Sequence, residues 1–387
     1  MKTNILILGG GFGGLEVATS LRAQCDDSVN ITLIDKKEFF IIGFTKFDLM
    51  FGRRAPEDIK HYYADLKGGI NFVRDEVEKL DPENNSVITS NGTYSYDYLV
   101  IALGVKLHRE AIPGFKEGGY SFYSFKQAQK LHPVIEDFES GTILISIFEN
   151  PYQCPPAPYE AALQLHDLFN KKGTRADITI KVLAPSPIPL PIAPSASASL
   201  LELLDVHDIE FHAKHKVTAL DTENKCAIIE GQEPMDYDLF LGVPIHRPPP
   251  VILDSPFGKD GWIHANSNNL RTEFDNVYAV GDVTHIPAGD FAVPKTGAFA
   301  EDAGKTVVKD LLNRINNEDN NVKYNAMGAC FVEVGSGQVA KVQGNILGGA
   351  EPVLDFLTAS EEYRADKADF ETSRIKKWFN NRVSPNN

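Results

Sequence analysis

The chain has 387 residues, enough for two or three domains, and its 43% hydrophobic and 24% charged residues are the balance of a globular protein that buries real cores. A formal net charge of -15 makes the surface repel phosphate backbones and anionic lipid heads, which excludes nucleic acid as an expected partner. No apolar run reaches the roughly 18 residues that a membrane-spanning helix needs, and the N-terminus enters a strand with no cleavable leader, so the expected location is cytoplasmic with at most peripheral membrane contact.

Short apolar strands alternate with amphipathic helices, a pattern that predicts α/β architecture with parallel sheets. Strands are predicted at 4–8, 30–34, 98–103, 142–147, 178–183 and 277–280. The first helix follows the opening glycines, with Leu15, Ala18 and Leu21 spaced to face a sheet. Further helices are predicted at 158–171, 195–206 and 298–313. The proline-rich stretch 184–194 reads as an extended surface connection, because proline fits neither a helix interior nor a central strand. A second run, Arg247-Pro248-Pro249-Pro250, is the better candidate for a crossing between domains. The expected division is 1–110 and 263–322 for a first nucleotide-binding domain, 111–262 for an inserted second Rossmann-like domain, and 323–387 for a short C-terminal region.

Gly9-Gly10-Gly11-Phe12-Gly13-Gly14 fits G-x-G-x-x-G, a weak pattern alone, but here it closes a strand and opens a helix. Such glycines allow the tight turn and bring backbone N–H groups up to a pyrophosphate on the positive helix terminus. Asp35, at the end of the next strand, is placed to accept a hydrogen bond from a ribose hydroxyl. The motif itself leaves the choice between FAD and NAD open.

The four cysteines, Cys25, Cys154, Cys226 and Cys330, have no C-x-x-C pairing and no zinc-ligand spacing, and the scattered histidines suggest no metal site. Cys25 and Cys226 read as small buried hydrophobes.

Two further segments resemble the flavoprotein disulfide reductases: Tyr96-Asp97-Tyr98-Leu99-Val100-Ile101-Ala102-Leu103-Gly104, and Asn276-Val277-Tyr278-Ala279-Val280-Gly281-Asp282. The resemblance implies FAD, with Asp282 on the ribityl chain. The cofactor-binding set is then Gly9, Gly11, Phe12, Gly13, Gly14, Asp35, Lys36, Val77, Ala102, Gly104, Gly281, Asp282 and Lys295. Relatives that oxidise NADH or NADPH carry a second glycine motif after the first strand of the inserted domain. Here the segment from Phe148 to Glu160 contains four prolines and no glycine, so a nicotinamide nucleotide is not expected there.

Cys154-Pro155-Pro156-Ala157-Pro158-Tyr159-Glu160, Val293-Pro294-Lys295-Thr296-Gly297 and Gly328-Ala329-Cys330-Phe331 resemble the sulfide:quinone oxidoreductase and flavocytochrome c sulfide dehydrogenase family. That likeness implies that Cys154 and Cys330 are a redox pair beside the flavin, with Lys295 near the flavin or the acceptor. Sulfide would open the disulfide, FAD would take the electrons and a quinone would reoxidise it. Glu160 reads either as acid or base for the thiols or as a helix-N-terminal carboxylate. Segment 39–44 lacks the cysteine that attaches FAD covalently in flavocytochrome c subunits, so non-covalent FAD is expected; no third cysteine lies between Cys25 and Cys154. In the tail, Lys376, Lys377, Trp378 and Phe379 read either as an interfacial patch or as a segment packing back on the first domain. The rival readings are a single-chain NADH:quinone oxidoreductase and a flavin-binding regulator without turnover. A homo-oligomer is left open.

Overall fold

In the computed structural model, which describes residues 2–319, 321–349 and 352–380, strand β1 (Thr3–Leu8) is buried from Ile5 onward and leads through the glycine turn into helix α1 (Phe12–Gln24). Strand β2 (Val29–Asp35) pairs with β1 in parallel register from Thr3↔Val29 to Leu8↔Ile34, and β3 (Asn71–Arg74) extends the sheet beyond it. On the other side lies β4 (Tyr98–Ile101), again parallel. Ile5, Ile7, Leu33, Val100 and Ile101 are all essentially inaccessible to solvent. Continuous apolar strands of this kind require cover on both faces of a parallel sheet.

The inserted domain has its own parallel sheet. Strand β5 (Gly141–Ile147) is followed by α2 (Ala157–Lys172), β6 (Ile178–Ala184), α3 (Pro194–Val206), β7 (Ile209–Ala213) and β8 (Leu239–Val243). The strand order is β7-β6-β5-β8, with every pair parallel. Gly173 ends α2 in the left-handed conformation (φ 77°) that a side chain would resist. Two strands connect this domain to the first, Lys106–His108 leaving and Ile245–Arg247 returning, and they pair antiparallel with each other. The proline run after Arg247 leads into a short helix, Pro250–Leu253, so the return crossing precedes the prolines.

Back in the first domain, β9 (Val277–Ala279) pairs with β4 and completes a five-stranded sheet ordered β9-β4-β1-β2-β3. Helix α4 (Gly297–Ile315) crosses α1 so closely that a Cβ on Gly304 would lie 3.0 Å from the Gly13 carbonyl oxygen. The C-terminal region is an antiparallel sheet of β10 (Met327–Gly335), β11 (Gln338–Asn345) and β12 (Val353–Ser360), closed by α5 (Glu362–Trp378). Strand β10 lies against both α2 and α4, bridging the two domains.

The packing decides between the two readings of the tail and corrects the one for two of the cysteines. Trp378 and Phe379 are buried, with Trp378 Nε1 donating to Glu16 Oε2 (3.2 Å) and its ring edge-on to Phe12 and Phe40, so they pack back on the first domain and anchor the tail there. Cys25 and Cys226 are half-buried and are not fully enclosed core residues. Among the described residues no helix is long and apolar enough to cross a membrane.

Candidate active site

The glycine turn at the carboxyl edge of the first sheet is shaped by close backbone approach. Gly9 has φ +100°, and a Cβ there would lie 2.2 Å from the Ala102 carbonyl oxygen; a Cβ on Gly14 would lie 1.9 Å from the Gly9 oxygen. Gly13 is closed off by a side chain instead, with the Val280 Cγ2 methyl 2.7 Å from where a Cβ would lie. Gly11 differs: a Cβ would meet nothing within 4 Å, and this residue caps α1 with no side-chain hydrogen bond. The open space at the positive helix end is where a pyrophosphate fits. Asp35 accepts from the N–H of Gly10 (2.7 Å) through Oδ2 and from that of Lys37 (2.8 Å) through Oδ1, which fixes the carboxylate beside the turn with lone pairs left for ribose hydroxyls. The cradle therefore suits a dinucleotide.

The other predicted cofactor residues take varied places. Ala102 is held by its N–H on the Leu8 oxygen (2.7 Å), and Gly104 and Gly281 adopt left-handed φ of 63° and 76°. Phe12 packs its ring on Phe40 and Trp378, and Val77 is buried at the start of the strand Val77–Asp81, which forms a three-stranded antiparallel sheet with Ser86–Thr89 and Gly92–Ser95. Lys36 points outward to an exposed ion pair with Glu76 (2.7 Å). The Asp282 carboxylate accepts from Gln153 Nε2, tying the second FAD-type segment to the loop that carries Cys154.

Cys154 sits just before α2, its N–H on the Lys295 oxygen (2.7 Å) and its own carbonyl accepting from the Ala157 N–H (2.9 Å). Its φ of 49° is a left-handed conformation, which a non-glycine residue holds only where the surroundings impose it. Cys330 lies in the middle of β10. The two free thiols are in hydrogen-bond contact: Cys154 donates to the Cys330 sulfur, as does the Thr296 hydroxyl, which also caps α4 by accepting from the Phe299 N–H (3.2 Å). These donors lower the Cys330 pKa, whereas donation to Cys330 and then burial hold Cys154 well above the ordinary thiol value. Cys330 is the sulfur that ionises first.

Glu160, on the first turn of α2, is 1% exposed, and burial pushes its carboxyl up to about 7 against the lowering pull of Lys367. Its Oε1 accepts from the Glu333 N–H (3.1 Å), from Gln164 Nε2 (3.2 Å) and from Lys367 Nζ (3.4 Å). Lys367 also contacts Glu333 at 2.5 Å, and Arg53 contacts the other Glu333 oxygen at 2.5 Å. Glu333, though desolvated by burial, is held down at about 2 by these two cations. Lys295 is 7% exposed, donates to the carbonyls of Asp282 (2.8 Å) and Thr284 (2.9 Å), and lies 3.7 Å from the Trp262 ring centre. Burial lowers it to about 8 against the pull of Asp282.

The loop that stands where a second dinucleotide motif would be is occupied by its own groups. At the α2 terminus, Ala157 N–H is used by Cys154, Pro158 has none, and the Tyr159 and Glu160 N–H groups both bond the Pro156 oxygen. Glu149 forms a bidentate pair with Arg247, and Phe148 is buried against Phe115 and Phe240. The N–H groups of the first turn of α2 are therefore taken up within the segment itself.

Residues not assigned a role from the sequence also converge here. Thr296 acts on Cys330 and Lys46 on Cys154, Glu333 and Lys367 hold Glu160, and His246 packs on Tyr123, whose hydroxyl reaches the Cys154 carbonyl. The one local signal was Lys46 itself, a lone lysine within the apolar stretch Phe44-Thr45-Lys46-Phe47.

Comparison with known proteins agrees with this arrangement. Residues 3–142 match a family model described as pyridine nucleotide-disulphide oxidoreductase, and residues 128–189 match one described as the central part of the sulfide dehydrogenase (flavocytochrome c) flavoprotein chain. The chain is 24% identical over 381 residues to the mitochondrial sulfide:quinone oxidoreductase of Dictyostelium discoideum, covering 93% of this chain and 82% of that one. It is 28% identical over 363 residues to the sulfide-quinone reductase of Aquifex aeolicus, covering 87% and 82%. The X-ray structure of the Aquifex aeolicus sulfide:quinone oxidoreductase superposes with a TM-score of 0.87 over 97% of this chain and 91% of that one, at 24% identity. A type II NADH:quinone oxidoreductase of Staphylococcus aureus is 24% identical over 340 residues, covering 82% and 84%.

Proposed function

Starting from a chain similar along most of its length to the sulfide:quinone oxidoreductase family, we propose that this protein is an FAD-dependent enzyme that oxidises sulfide through Cys154 and Cys330 and passes the electrons to a quinone. The observation that carries the reading is the meeting of these two thiols beside the Asp282 and Lys295 segments, while the N–H groups at the start of α2 are taken up within the segment itself.

Gly9, Gly11, Gly14 and Asp35 would hold the adenosine and pyrophosphate of FAD, and Gly281, Asp282 and Lys295 would lie along the ribityl chain and ring. When bound, FAD supplies the two-electron acceptor that the thiols lack. No cysteine occurs at 39–44 to tether it, so the binding is non-covalent.

The sulfur chemistry follows from the asymmetry of the pair. With Cys154 and Cys330 joined as a disulfide, hydrosulfide attacks Cys154 Sγ and forms a new S–S bond there. The old S–S bond breaks and its electron pair leaves on Cys330. The better leaving sulfur is the one with the lower thiol pKa, and here that sulfur is stabilised by the Thr296 hydroxyl. Glu160, titrating near neutrality, takes up the proton that hydrogen sulfide releases. Lys295 fixes the Cys154 loop through its backbone and places a cation beside Asp282.

An anaerobic titration of the flavin-loaded protein tests this. Sulfide should bleach the flavin absorbance, NADH should not, and Cys154→Ser should be inert to sulfide. Bleaching by NADH with no response to sulfide would overturn the reading and place the protein with the NADH dehydrogenases.

A further inference from the structure

Lys46 follows the first residue of a short helix, Thr45–Met50, which packs on the helix Phe125–Glu136. Its ammonium donates to the Tyr123 carbonyl (2.9 Å) and forms no ion pair among the described residues. Burial lowers its pKa to about 8, against the opposing pull of Cys154 and of the Asp282 carboxylate. A desolvated cation without a counterion is costly unless an anion arrives to pair with it.

The second group is His246, 1% exposed. Its Nδ1 lies 2.7 Å from the Pro244 carbonyl, so that nitrogen carries the proton and donates it there. Nε2 is then a lone-pair acceptor, and no group in the described structure donates to it. Burial drives the ring down to about 3, which keeps it neutral, and the positive charge of Lys46 acts in the same direction. The imidazole stands edge-on to the Tyr123 ring at 5.4 Å, and the Tyr123 hydroxyl reaches the Cys154 carbonyl at 3.5 Å. Tyr152 packs on both rings. One aromatic residue thus links Lys46, His246 and Cys154.

A half-buried cation with no ion pair among the described residues and a buried acceptor that lacks a donor, both joined through Tyr123 to Cys154, specify an unusual ligand. Chloride would satisfy the first and not the second; water would supply a donor and no charge. Hydrosulfide has a negative charge and one S–H on a single atom. We propose that Lys46 and His246 form a binding site for the hydrosulfide anion on the Cys154 side of the pair, the ammonium taking the charge and Nε2 accepting the S–H. This deepens the sulfide-oxidising reading and rests on it. Lys295 is not an equivalent site, because two carbonyls and the Trp262 ring already satisfy its ammonium.

The test is the anaerobic reduction of the flavin-loaded protein by sodium sulfide in a stopped-flow instrument, followed over a range of concentrations. Lys46→Gln should raise the half-saturating sulfide concentration about tenfold, the size of one charge-assisted contact, with the limiting rate changed far less. Lys46→Arg should restore most of the affinity. His246→Asn keeps an amide toward Pro244 and removes Nε2, so it should raise the half-saturating concentration several-fold. Unchanged half-saturation in both variants overturns the site. So does a fall in limiting rate with an altered flavin spectrum, which would place Lys46 against the flavin. If Lys46→Gln does not fold, Lys46→Met and His246→Asn decide the matter, each being expected to raise the half-saturating concentration. A wild-type protein that sulfide cannot reduce removes the functional reading and the site together, whereas reducible wild type with indifferent variants removes the site alone.

Discussion

Glu160 acts on both sulfurs at once, since its negative charge raises the pKa of Cys154 and of Cys330. Below about pH 7 the carboxyl is protonated and this opposition is absent; above it the carboxylate restrains both thiols from ionising. Glu160→Gln should therefore shift the alkylation of the reduced thiols by iodoacetamide to lower pH. It should also remove a limb near pH 7 from the pH profile of flavin reduction by sulfide. The stability linkage has a defined sign. A carboxyl raised from 4.5 in the unfolded chain to about 7 stabilises the fold fully below 4.5 and ceases to do so as pH climbs through about 7. Melting temperatures of wild type should fall across that interval more steeply than those of Glu160→Gln. Sequence alone placed Glu160 on the first turn of a helix and left its role open; the desolvation that gives it a neutral pKa comes from α2, β10 and α5 packing around it.

The glycine turn separates backbone geometry from ligand contact. Gly14→Ala would drive a Cβ into the Gly9 oxygen, so α1 cannot keep its place; the expected outcome is a large loss of stability and of flavin together. Gly11→Ala meets no protein atom, and the apo protein should melt within a few degrees of wild type while flavin occupancy drops sharply. Equal flavin content in the Gly11 variant would show that no pyrophosphate sits there. Flavin absorbance per protein and thermal unfolding read both effects. This element was legible because strand, turn and helix are contiguous in the chain. So were the helices predicted at 158–171 and 298–313, which run Ala157–Lys172 and Gly297–Ile315. The antiparallel sheet of β10, β11 and β12 was not foreseen. Its strands lie partly buried between α2, α4 and α5 and show no clean alternation of buried and exposed residues.

Across the whole molecule, the C-terminal region locks the two domains to each other. Trp378 is fully enclosed, and Glu16, also buried, binds both its Nε1 and the Lys377 ammonium (2.6 Å). Trp378→Ala should cost about 3–5 kcal/mol, the usual result of emptying a buried indole site, and lower the melting temperature accordingly. Because α5 also carries Lys367 to Glu160, undocking it should weaken sulfide-driven reduction as well. Arg54 and Glu371 give the same helix a second tie, at 2.8 Å. An unchanged melting temperature in the Trp378 variant would mean that the helix is held by these surface pairs instead.

Local chemistry written in consecutive residues was available from the chain itself. The strand-turn-helix with its glycines, Asp35 at the end of the next strand, the α/β class and the glycine-free loop before α2 all depend on neighbours in sequence, where periodicity and backbone freedom act directly. The likeness to a family had already paired Cys154 with Cys330; the tertiary structure alone decided which other distant groups meet: Cys330 with Thr296, Glu160 with Lys367 and Glu333, Lys46 and His246 with Tyr123. These contacts depend on how two sheets and a C-terminal layer pack, and burial then sets the proton affinity of each group. No short-range pattern carries that information, because the desolvation and the partner charge come from segments far apart in the chain.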